Sequence, residues 1–72
     1  FMPDLKLLES IISDSGMTMV ALAEKTGILR ETLYNKIRGI SEFKASEIAA
    51  LTKALKLTSE QRDAIFFAEK GE

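Results

Sequence analysis

The chain has no cysteine and no histidine, and its one proline, Pro3, stands near the start. Without cysteine there can be no disulfide and no thiolate zinc site. Without histidine the usual structural metal ligands are missing altogether. No paired carboxylates, nucleophile–base pair or phosphate-cradling glycine loop can be read from the remaining residues. Catalysis is therefore not expected, and neither a metal nor a cofactor is implied. Long apolar runs are also lacking. The uncharged stretch that begins at Ser15 is too short and too polar to span a bilayer. The N-terminus lacks a basic stretch followed by a long apolar one, so no signal peptide is read and a cytoplasmic location is expected. Met2 reads as the natural start, with Phe1 an addition ahead of it.

What remains is a small, apolar, helix-forming chain. Its 72 residues, 46% of them hydrophobic, make a single domain over 1–72. A chain this short buries only about 60% of its unfolded surface, so apolar packing has to be efficient. The net charge is −1. Positive charge is concentrated in the middle. Lys25 to Lys44 sums to +3, the first 24 residues to −3, and residues 45–72 to −1. An acidic balance overall is unusual for a DNA binder, whose affinity comes largely from phosphate contacts. The central basic block partly offsets that objection.

Apolar spacing predicts five helices and no strand. The first covers about Asp4 to Asp14, with Leu5, Leu8 and Ile12 recurring at helical intervals. Pro3 and Asp4 suit its start, and Asp14-Ser15-Gly16 its end. The second covers about Met19 to Lys25, with Thr18 as N-cap and Gly27 as a left-handed stop. The third covers about Arg30 to Arg38, with Leu33 and Ile37 inward. A loop from Gly39 to Lys44 contains Phe43, expected to plug the core. The fourth covers about Ala45 to Leu55, with Ile48, Leu51 and Leu55 inward. The fifth starts at Thr58, where Thr58-Ser59-Glu60-Gln61 forms a capping box. Its body is Ala64-Ile65-Phe66-Phe67-Ala68. Phe66 and Phe67 are neighbours, so on a helix they point about 100° apart. One of them is expected to be free for a dimer or partner contact.

The segments around Gly27 carry the functional signal. A helix–turn–helix pair needs a small residue where the helices touch, here Ala23. It needs a glycine at the turn, here Gly27, and an apolar lock on the second helix, here Leu33. On these residues, and on the run MTMVALAEKTGILRETLYNKIRGISEFKASEIAALTKAL over residues 17–55, the chain resembles the Cro/C1-type (XRE-like) helix-turn-helix family of phage and bacterial regulators. The tail LTSEQRDAIFFAEK is similar to the last helix of small temperate-phage members. The resemblance implies an all-α, five-helix, lambda-repressor-like DNA-binding domain acting in transcription within a bacterial cell. It implies that the third helix reads DNA while the second lies across the backbone. By position, base reading falls on Arg30, Glu31, Thr32 and Asn35, with Tyr34 beside them. Arg30 suits guanine, Asn35 adenine and Glu31 cytosine. Lys36, Arg38 and Lys44 are expected to contact phosphate. A dimer on operator DNA is the expected working form, since one module makes few contacts.

Three positions depart from the family pattern. Met19 stands where glutamine is common, Leu29 where a serine or threonine cap is common, and Lys36 where an apolar residue is common. Ile37 is expected to take over the apolar role of the last. Apolar side chains at the mouth of the motif favour a protein partner over phosphate. The alternative reading is therefore an antirepressor, similar to the modulator-of-repression proteins of temperate-phage lysogeny switches. It would dock on a partner repressor through Met17, Met19, Leu29, Arg30 and Tyr34. A third option is the antitoxin partner of a toxin.

Overall fold

The structure, a computed structural model, describes residues 3–67. The readings made of Phe1, Met2 and Ala68 lie outside that range. Every regular element among the described residues is helical, and none is long and apolar enough to cross a membrane.

Local chemistry sets the boundaries. Helix α1, Leu5–Ser15, begins where Asp4 Oδ1 accepts the Leu7 N–H at 3.1 Å. That bond satisfies one of the helix's unpaired first donors. Helix α2, Met19–Thr26, begins with Thr18 Oγ1 accepting the Ala21 N–H at 3.0 Å. Gly27 then turns left-handed at φ 76°, and its N–H donates to the Ala23 carbonyl at 2.9 Å. After a three-residue turn, helix α3 runs Arg30–Ile37. Its N-cap, Leu29, has no side-chain bond to offer. Helix α4, Ala45–Leu55, has the expected bounds. It ends in a left-handed Lys56, which lets the Leu57 N–H reach back to the Thr52 carbonyl at 2.9 Å.

The fifth helix differs from expectation. Only Ser59–Arg62, here α5, is α-helical, and Asp63–Phe67 widens into a π-helical turn. The capping box is present, with Gln61 N–H on Thr58 Oγ1 and Thr58 N–H on Gln61 Oε1. The widening has a packing reason. Ile65 and Phe66 are neighbours, yet both are buried, at 0% and 1% exposed. A looser winding brings successive side chains closer to one face than an α-helix allows. Phe67 is the outward member of the aromatic pair, 49% exposed.

Helix α2 packs on α3 and α4, while α1 packs on α3, α4 and the π turn. Leu8, Ile12, Leu22, Leu33, Ile37, Leu51, Ile65 and Phe66 fill the space between them. Each fully buried Leu or Phe contributes about 1.5–3 kcal/mol of transfer free energy. Ile28 and Leu57, both in turns, are also buried and pin those turns to the core. Phe43 is half-buried and meets the Phe66 ring edge-on, centroids 5.4 Å apart, so it closes the core from its rim. Ile48 and Leu55 are likewise half-buried and packed against it.

Candidate nucleic-acid interface

Helical periodicity divides α3 into two faces. Positions 33, 36 and 37 share one row, and Leu33, Lys36 and Ile37 are all buried. The opposite side exposes Arg30, Glu31, Tyr34 and Arg38, with Thr32 and Asn35 half-buried between them. With Leu29, these side chains line one open concavity of about 950 Å³. Among the described residues neither Arg30 nor Arg38 enters a salt bridge. Two guanidiniums, a carboxamide, a phenol and a carboxylate are thus presented together on a short, anchored helix. Glu31 also lies in the first turn, where its charge complements the helix dipole.

Lys36 leaves the set expected to contact phosphate. Its side chain is 6% exposed, and Nζ is bonded to Glu47 Oε1 at 2.5 Å. It shares the inward row with Leu33 and Ile37, and its ammonium is turned towards α4 and away from the outer face. Ile37 fills the apolar role beside it. Lys44 is exposed at the start of α4, outside the concavity.

Glu47 did not stand out in the sequence. Its Oε1 accepts the Lys36 ammonium and also the Lys44 backbone N–H, at 2.8 Å. Burial alone would raise its pKa. The hydrogen bonds from Lys36 and Lys44 and the charges of both lysines outweigh that, holding the carboxyl below its ordinary value. The available signal was a lysine at a core-facing spacing, which demands a buried counter-charge.

The apolar candidates also separate. Met17 and Met19 are half-buried and packed against the core. Met19 shares a groove of about 300 Å³ with Tyr34, Ile37 and Arg38. Leu29 alone of the three stands free, 78% exposed at the lip of the concavity. Val20 and Ile40, not singled out from the sequence, are 47% and 69% exposed.

Comparison with known families, characterised proteins and solved structures finds no match. Function must then be argued from the site, because a helical architecture by itself hosts many activities.

Proposed function

We propose that this chain is a DNA-binding transcriptional regulator of the phage-switch type, Cro-like in character. Helix α3 lies in the major groove and α2 crosses the backbone, the arrangement of a lambda-repressor-like helix-turn-helix. One observation carries the reading: α3 buries the row Leu33, Lys36 and Ile37 while its other side offers Arg30, Asn35 and Arg38 within a single open concavity. Arg30 is suited to gripping guanine through two hydrogen bonds and Asn35 to pairing with adenine. Arg38 and Lys44 are suited to phosphate, which positions the domain without specifying sequence.

The test is to select duplexes from a random-sequence pool and measure affinity by anisotropy. Arg30→Ala and Asn35→Ala should each cost about 1–3 kcal/mol and relax preference at one base position. Unchanged affinity and preference in both variants would exclude α3 as the reading element.

A second reading is favoured by Leu29, a large apolar side chain 78% exposed where a phosphate-facing cap would be polar. In that reading the same face docks on a partner repressor and modulates that repressor's DNA binding. Leu29→Asp should then abolish the complex while the helical content stays unchanged. A partner retained by Leu29→Asp would remove the support for docking there.

A further inference from the structure

Lys36 and Glu47 form the one buried ion pair among the described residues. They join α3 to α4 across the loop of residues 38–44, and that loop is held at both ends. At its start the Arg38 N–H donates to the Tyr34 carbonyl, the Gly39 N–H to the Lys36 carbonyl and the Ile40 N–H to the Asn35 carbonyl. At its end the Lys44 N–H donates to Glu47 Oε1, the same oxygen that accepts Lys36 Nζ. One carboxylate therefore fixes the far end of the loop to the helix from which the loop departs. Arg38 and Lys44 are the exposed cations that bracket the loop: Arg38 continues α3, and this closure places Lys44 relative to it.

Cohesion does not require it. Two apolar side chains of similar size would hold α3 against α4 at least as well, because they need not be stripped of water. What the ions add is direction. A carboxylate oxygen shared between an ammonium and a backbone N–H is satisfied in a narrow range of geometries, whereas apolar contacts tolerate sliding.

We propose that the Lys36–Glu47–Lys44 clasp is a positioning device: it sets Lys44 at a fixed offset from Arg38 and the rest of the exposed face of α3, so that both cations reach phosphate while α3 is in the groove. This rests on the DNA-binding reading above and adds Lys36 and Glu47 to it as residues that act through others. The ammonium does not touch DNA, although its sequence position beside Asn35 suggests that it should.

The test is the double variant K36M/E47Q. Methionine replaces the lysine stem, and glutamine keeps an acceptor for the Lys44 N–H. Melting temperature should stay within a few degrees of the parent. Affinity for a duplex selected from a random-sequence pool should fall about tenfold, and the slope of log affinity against log salt should become shallower by about one, the loss of one phosphate contact. A structural filler would leave that slope alone, so an unchanged slope and affinity overturn the proposal. If the double variant melts early, both proteins are measured at a temperature at which the variant is still folded, with the same slope change expected and an unchanged slope again overturning it. If the parent binds no duplex at low salt, the DNA reading fails, and amide exchange decides the clasp separately. The Lys44 amide should exchange more slowly in the parent than in K36M/E47Q, where its acceptor is uncharged and no longer tied to α3, and equal rates in both overturn it.

Discussion

Gly27 and Lys56 hold similar backbone conformations, φ 76° and 56°, but only one of them is glycine. At Gly27 an added Cβ would meet nothing within 4 Å. The glycine is therefore needed for its torsion and not for space. Gly27→Ala should cost about 1–2 kcal/mol, the left-handed penalty of an L-residue. Lys56 already carries that strain, because burial of Leu57 and its bond to Thr52 require the turn. Lys56→Gly should raise stability by up to about 1 kcal/mol, reduced by the freedom glycine gains when unfolded. Urea midpoints of the two variants should move in opposite directions. Equal shifts would mean that torsion does not decide either site.

Between the elements, Glu47 links α3 to α4, and that link has a pH signature. The carboxyl lies below its ordinary value in the folded chain, so its stabilising contribution is complete above about pH 4.5. It disappears as pH falls through the lowered value. The stability lost in Glu47→Gln should therefore be largest near about pH 7 and should vanish in acid, where the parent is itself protonated. A loss independent of pH would assign the effect to shape and not to charge. The other element boundaries were legible in the sequence, since Asp4, Thr18, Gly27 and Thr58 each act within three or four residues of themselves. Buried Lys36 was not legible as such, because its partner lies eleven positions away on another helix. The π turn was hidden for a similar reason. It exists to bury Ile65 beside Phe66, and the need for both inside appears only once α1 and α4 are in place. The two sides of α3 were readable from spacing alone: Leu33 and Ile37 are buried, Arg30, Tyr34 and Arg38 exposed, and Asn35 half-buried between them.

At the scale of the whole molecule, stability is small and concentrated. A domain of this size is held by only about 5 kcal/mol in total. Leu33→Ala empties a fully buried site and should cost about 2–5 kcal/mol. Far-ultraviolet circular dichroism should show that variant melting at a much lower temperature, and partly unfolded at room temperature at the upper end of that range. Leu29, four positions earlier and 78% exposed, should by contrast accept a polar replacement without loss of helix. A Leu33→Ala variant that melts with the parent would mean that the neighbouring helices collapse into the space.

The Asp4 N–H donates to the Ile65 carbonyl at 2.7 Å, stitching the turn that begins α1 to the π turn. The two ends of the described segment, residues 3–67, are thus fastened together. Under a pulling force, a bundle with loose ends peels one helix at a time. Here tension applied at Pro3 would load the seam first, and α1 would come away together with the aromatic plug formed by Phe66, in one rupture.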